Sequence, residues 1–287
     1  MSDPLSSDEL PVTAVVVARN RAGVLGRCLA SLARAGARDV IVVDGCSSDG
    51  TRGVARDHGA MVISDHGAGL ATARNLGADH ASGDWIMYVD SDVVVEPNTI
   101  RTLLWEAIDS PFDAVQARLD PVDRDLSYWQ RGELWRRRRH EQPGPARAVG
   151  CQATLVRRRL VTDVRFDPLF SGAGEDGDFF VRATDAGGRV GFSAVAVARH
   201  EDRRSLVAFL RQRIWHGRGL ARTALRQGRR YGSAARDEGS VVGSGILSEP
   251  QFALFMIASV WGLGLGFAIE LAALACNRSL RQQLRNG

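Results

Sequence analysis

Lysine is missing from this chain of 287 residues: all 37 basic side chains are arginine, set against 33 acidic ones, for a net charge of +4 and a pI near 9.2. So uniform a choice of cation reflects genome composition rather than a ligand. The small excess allows a mild attraction to phosphates or anionic lipid, and no nucleic-acid partner is expected. Cysteine is scarce. Cys28, Cys46, Cys151 and Cys276 have no paired spacing of the zinc or thioredoxin type, and scattered thiols fit a reducing compartment. Residues 1–10 are acidic and Ser-rich, with neither a basic start nor an apolar run, so a secretory signal is not expected and a cytosolic face is. Repeats and low-complexity tracts are absent too. A hydrophobic content of 45% supplies a full core for one large domain with an appendage and excludes a disordered or fibrous protein.

From residue 12 to about 197, short Val/Ile-rich runs alternate with amphipathic stretches, the pattern of βα units on a mainly parallel sheet. The runs predict strands at 12–18, 40–43, 61–64, 85–89 and 114–118; helical spacing predicts helices at 23–35, 50–58 and 71–80. Residues 127–145 carry Trp129, Trp135 and four consecutive arginines, Arg136 to Arg139. Tyr128, Arg131, Trp135 and Arg138 can share one helical face, either as a solvated surface or as a contact for a lipid headgroup or acceptor phosphate. A long Arg-rich helix is expected over 205–230, with Leu206, Phe209, Leu210, Ile214, Gly217 and Leu220 on its apolar side. It can pack on the sheet, lie along a membrane surface, or both. Residues 252–276 are almost continuously apolar, with Glu270 as the single charge and Ala258, Gly262 and Gly266 as a small-residue stripe suited to close helix contact. The expected division is a disordered 1–10, a catalytic 11–202, an Arg-rich amphipathic or interfacial 203–248, and a hydrophobic membrane-associated helix with basic tail at 249–287. Membrane insertion is expected of that last segment, with a re-entrant or interfacial placement left open.

The chemistry gathers at the ends of the apolar runs, where open α/β sheets collect ligands. The run 85–89 ends in Asp90-Ser91-Asp92, two carboxylates that can hold a divalent ion against a diphosphate, or serve as a solvated turn or helix cap. The run 40–43 ends in Asp44, able to accept hydrogen bonds from a ribose or base edge, and Asp49 is expected to cap the next helix. Arg74, inside a predicted helix, can meet a phosphate or a base, or remain a surface charge. In Gly174-Glu175-Asp176-Gly177-Asp178, three acids in four residues repel one another unless a metal, an arginine or a hydroxyl sits among them. A helix N-terminus would favour the same charges, so Asp178 is assigned to the helix and Asp176 to the reaction. His200 follows the last predicted strand, within reach of a metal or a leaving phosphate, or as a satisfied polar residue.

In order and spacing, the motifs VVVARN, VVDGCSSDGT, ARNLG, DWIMYVDSD and GEDGDFFVR, with the late histidine and an Arg/Gln/Trp-rich helix, resemble those of family 2 glycosyltransferases of the GT-A fold. The likeness runs from residue 12 to about 219. It implies a nucleotide-sugar-binding, Rossmann-like α/β domain and an inverting transfer from a UDP- or GDP-sugar, with Mg2+ or Mn2+ as cofactor. Carried over residue by residue, Ala18, Asn20, Asp44, Arg74, Asp90 and Ser91 meet the donor nucleotide. Asp90, Asp92 and His200 hold the metal; Asp176 is the base, with Glu175 beside it; Arg211, Gln212, Arg213 and Trp215 are phosphate or acceptor candidates. The pattern departs from the family at Gly45, where a second Asp often follows Asp44. It also lacks a full Gln-x-x-Arg-Trp, of which Gln212 to Trp215 is only reminiscent, so processive polymerisation is not expected. The stretch HEDRRSLVAFLRQRIWHGRG resembles membrane-associated bacterial members that build exopolysaccharide. That likeness implies a glycan or lipid-linked acceptor, contact with membrane lipid at the cytosolic face, and a membrane-helix partner or homodimer as further possibilities. Two other classes compete: a sugar-phosphate nucleotidyltransferase, for which Arg19 to Gly23 is a poor triphosphate loop, and a catalytically silent membrane scaffold, which the intact acids disfavour.

Overall fold

A computed structural model describes residues 10–110, 112–227 and 249–286. The expected disordered start, apart from Leu10, and the stretch 228–248 of the Arg-rich segment lie outside the described residues. The Val/Ile-rich runs form β1 (Leu10–Ala18), β2 (Ala37–Asp44), β3 (Met61–Ser64) and β4 (Trp85–Asp90). These pair in parallel in the order β3-β2-β1-β4. Alternation along the strands feeds two cores. Val12, Ala14, Val16 and Val42 pack on one face, and Val15, Ile41, Val43 and Tyr88 on the other. Because both faces are covered, the strands read as continuous apolar runs, which is why they were legible.

Beyond β4 the sheet is mixed. β8 (Ala153–Arg157) runs antiparallel to β4 and to β6 (Ala114–Pro121), and β9 (Val190–His200) runs parallel to β6. β5 (Val93–Val95) and β7 (Gly144–Ala146) pair antiparallel with β9. The parallel sheet anticipated from sequence is thus its first half. Runs of three to five residues, as at β5, β7 and β8, are too short for a period to register.

Helices α1 (Ala22–Arg34), α2 (Thr51–Asp57) and α3 (Leu70–His80) follow the first three strands. α4 (Thr99–Asp109) follows β5, and α5 (Tyr128–His140) opens with a capping box between Ser127 and Gln130. After β8 come α6 (Arg158–Val164) and α7 (Glu175–Asp185), then α8 (Leu206–Gln227), α9 (Ala253–Cys276) and α10 (Arg278–Asn286) after β9. Asp49, expected to cap α2, sits one residue before the N-cap Gly50 and bonds the first N–H groups of two helices instead. Its carboxylate accepts from the Thr51 N–H of α2 at 3.0 Å and from the Ala22 N–H of α1 at 3.2 Å.

One expectation about the helices is corrected and one is met within the chain. α5 is not a uniformly exposed cationic face: Tyr128, Trp129 and Trp135 pack against Phe209, Phe252 and Phe255, because aromatic rings gain more from this contact than from water. The small-residue stripe is already used within the chain. Cβ atoms added at Gly262 and Gly266 would run into Arg213 and the Ile214 carbonyl of α8, so these glycines bring α8 and α9 to backbone distance. Glu270 is buried there, accepting from Arg218 and Arg222 at 2.7 Å each.

Candidate active site

Register alone brings the donor-side acids together. Ala18 of β1 lies opposite Asp44 of β2, and Val17 lies opposite Asp90 of β4, so both carboxylates leave the same edge of the parallel sheet on either side of β1. The loops after β1 and β2 are cross-bonded. The Asn20 N–H donates to Ser47 Oγ at 2.9 Å, and the Asn20 side-chain oxygen accepts from the Ser48 N–H at 2.9 Å. Ala18 is buried and its carbonyl accepts from the Gly45 N–H at 2.9 Å. Asp44 is buried, with Oδ2 accepting from the Ser47 N–H at 3.1 Å, while Oδ1 has no partner. A buried carboxylate oxygen left alone is costly, and an N–H or hydroxyl from a nucleoside would satisfy it. Asp65, at the end of β3, was not singled out from sequence. It accepts from the Gly67 and Gly69 N–H groups at 2.8 and 3.1 Å and holds the loop that bonds Ser171 through the Leu70 N–H.

The second half of the sheet supplies the rest. Val93 pairs with His200 across β5 and β9, which sets Asp92 beside the imidazole, and the Asp92 carbonyl accepts from the Glu201 N–H at 3.1 Å. Nε2 of His200 stands 3.7 Å from Asp92 Oδ1; Nδ1 stands 2.7 Å from Asp202 Oδ1. A terminal nitrogen of Arg137 also stands 3.2 Å from Nδ1, but the contact to Asp202 is shorter. A carboxylate only accepts, so Nδ1 carries the proton and Nε2 presents its lone pair to Asp92 unless it is protonated. Two acceptors facing each other across that gap call for a proton or a cation between them. Burial lowers the affinity of the His200 ring for a proton, but the hydrogen bond to Asp202 and the charge of Asp92 outweigh it and leave its pKa raised. Asp202 is in turn bonded by both terminal nitrogens of Arg137, which is 6% exposed. Neither Asp202 nor Arg137 was picked from sequence as a site residue. One buried arginine in a run of four leaves no periodic signal, and the Asp two residues after a histidine is as often a surface charge.

Arg74, expected at the nucleotide, is 4% exposed and lies between Glu175, which it contacts directly, and Asp90 at 3.6 Å. It ties the strand-end acids to the first turn of α7. Glu175, expected beside Asp176 as a catalytic acid, is 3% exposed and occupied by Arg74, so it supports the site from behind. Burial pushes its carboxyl up to about 8 against the pull of Arg74. Burial likewise raises Asp90, opposed by Arg74 and reinforced by Asp92. Asp176 differs: it is half-buried, and among the described residues its carboxylate accepts only from the adjacent Gly177 N–H at 2.8 Å. Asp178 faces away, buried and paired with Arg182 at 2.7 Å, as expected of a helix residue. Ser91 is buried in the turn between the two metal candidates.

The α8 candidates divide. Trp215 is 41% exposed, and its indole nitrogen lies over Gly172, beside the acid loop. Gln212 is half-buried and Arg211 exposed. Arg213 is corrected: it is buried, bonded to Glu133 of α5 at 2.7 Å and laid over the Phe209 ring, so it cannot meet a substrate phosphate. Among the described residues no three His, Cys, Asp or Glu side chains gather closely enough to hold an ion by themselves. Asp92 and His200, with Asp90 nearby, fit the partial cage typical of ions that share their ligands with a substrate diphosphate.

The family model for glycosyl transferase family 2 matches residues 13–164. Among curated proteins, the pre-mycofactocin glycosyltransferase of Mycobacterium tuberculosis is 28% identical over 241 residues, 78% of this chain and 49% of that protein. The succinoglycan biosynthesis protein ExoO of Rhizobium meliloti is 30% identical over 208 residues, 65% of this chain and 60% of that protein. The matched region thus spans only about half the length of these relatives. Among solved structures, glucosyl-3-phosphoglycerate synthase of M. tuberculosis with Mn2+, UDP and glucosyl-3-phosphoglycerate superposes with a TM-score of 0.52 at 20% identity, over 71% of this chain and 78% of that one. S. aureus TarS with UDP-GlcNAc gives 0.54 at 18%, over 84% and 78%. Both likenesses are of fold.

Proposed function

The chain belongs to glycosyl transferase family 2, and from that premise we propose that it moves a sugar from a nucleoside diphosphate donor to an acceptor hydroxyl with inversion, Asp176 acting as base. Membership replaces the nucleotidyltransferase and silent-scaffold alternatives. The observation that carries the finer reading is the Asp90–Arg74–Glu175 link, which joins the donor-side acids to the turn bearing an unengaged Asp176. Asn20 and Asp44 receive the nucleoside, and the unpartnered Asp44 oxygen supports that role. Asp90, Asp92 and His200 hold a Mn2+ or Mg2+ ion, which when bound supplies Lewis-acid neutralisation of the leaving diphosphate. Asp176 takes the acceptor's proton as its oxygen attacks the anomeric carbon opposite the leaving group, so an α-linked donor yields a β-linked product. The acceptor is a glycan or lipid-linked alcohol at the cytosolic membrane face. The name of one bacterial relative, a succinoglycan biosynthesis protein, supports the glycan part of that choice.

A screen of UDP- and GDP-sugars with Mn2+ or Mg2+, reading free nucleoside diphosphate, tests the reaction; silence across all donors would overturn it. Asp176→Asn is expected to bind nucleotide like the parent and lose about 10²–10⁴-fold in turnover. Parent-like turnover in that variant would remove Asp176 as base.

A further inference from the structure

α9 is long and apolar enough to cross a membrane, yet one of its faces is covered by the rest of the chain, so lipid cannot surround it. Its buried positions, Phe255, Met256, Ser259, Gly262, Gly266, Glu270 and Leu274, form one stripe along nearly the whole helix. At the near end the Phe255 ring packs 5.0 Å from Phe209, and its N–H donates to the Tyr128 hydroxyl at 3.1 Å. At the far end Leu274 belongs to the same core as Phe166 and Phe179. A helix held to the catalytic body at both ends can meet a bilayer only side-on.

Its other face is dressed for that contact. Leu254, Ile257, Val260, Trp261, Leu265 and Ile269 are exposed, and no exposed side chain from 254 to 276 is polar. So long an apolar surface marks an interaction site. Arginines rim it: Arg278, Arg281 and Arg285 stand exposed on α10, and Arg211 on the neighbouring α8. The sole acid after residue 250 is Glu270, already buried against Arg218 and Arg222. A second copy would bring two cationic rims face to face, whereas anionic lipid headgroups complement the rim and acyl chains the stripe.

We propose that α9 docks flat in the plane of an anionic membrane surface, with the catalytic body and both helix ends on one side, rather than spanning the bilayer. Ala173 and Gly174 rest on Gly219 of α8, and α8 rests on α9, so docking would hold the Asp176 loop about one helix layer, roughly 10 Å, from the lipid-facing helix. This surface is independent of the chemistry: vesicle flotation tests the docking, and donor turnover in vesicle-free buffer tests the reaction.

The full chain is added to sealed vesicles of phosphatidylcholine with or without phosphatidylglycerol. It is expected to float with the anionic vesicles and to stay behind with the neutral ones. Ile257→Asp and Leu265→Asp should each cut the bound fraction at least about ten-fold with an unchanged thermal midpoint, since both side chains are exposed. In vesicle-bound protein, cysteines placed at Gln251 and Gln282 should both react with an impermeant maleimide from outside, read site by site by mass spectrometry. Protection of one of the two would mean a spanning helix and overturn the proposal. Failure to float, with sedimentation as a dimer, would overturn it in favour of a second copy on this face.

Discussion

At the scale of single residues, the distinction that matters is between acids that are engaged and acids that are free. Glu175 and Asp176 are neighbours in sequence, but Glu175 turns into the protein to meet Arg74, whereas among the described residues Asp176 makes no ion pair. The pairing of Asp202 with His200 makes a second distinction. Carboxylates that orient metal-binding histidines fix the tautomer and typically account for 10–100-fold in affinity. Asp202→Asn is therefore expected to weaken Mn2+ binding by about that factor, measured by calorimetry in the presence of nucleoside diphosphate. A role confined to packing would lower the thermal midpoint and leave the affinity alone. Asp44, Asp90 and Asp92 were legible because each closes an apolar run. Arg137 was not, since three identical neighbours mask it and only the position of Asp202 selects one of the four.

At the scale of elements, the junction of α8 and α9 holds the C-terminal part of the described chain to the catalytic body. The glycines at 217, 262 and 266 permit backbone contact, and the Glu270 carboxylate bonded by Arg218 and Arg222 locks the pair in register. Gly266→Leu should force these helices apart and destabilise the fold by about 1–3 kcal/mol in urea titration, while Gly264→Leu, where added atoms meet open space, should be nearly neutral. The arginines of α8 read in sequence as a polar face for a membrane surface, with Arg211 and Arg213 as phosphate or acceptor candidates. In the fold Arg213, Arg222 and Arg226 are spent on Glu133, Glu270 and Asp167. Helical spacing shows which residues share a face, but not which neighbour that face meets.

At the scale of the whole molecule, the cleft stores carboxylates whose pKa values the fold raises. Glu175 moves from its ordinary value to about 8, and Asp90 also rises, chiefly through burial. A group with a raised folded pKa stabilises fully below its unfolded value and loses that contribution as pH rises through the folded one. Metal-free protein should therefore lose stability in thermal melts as pH rises toward about 8, most clearly above about pH 6.5. Below that, His216, held down to about 3 by burial, stabilises increasingly as pH rises to its unfolded value and opposes the trend. Glu175→Gln should flatten that slope, and an unchanged slope would assign it to other groups. The lowered carboxyls of Glu133 and Asp202 titrate below this window and do not oppose the trend.

By itself the sequence determined the parallel half of the sheet, the acids at its edge and the family, because apolar period and strand-end chemistry are local properties of the chain. The tertiary structure alone decided which acid is free, which arginine turns inward and how α9 lies. Each of these depends on partners far apart in sequence, Glu175 on Arg74, Asp202 on Arg137 and Glu270 on Arg218 and Arg222, whose meeting is fixed by packing and leaves no mark in the spacing of either partner.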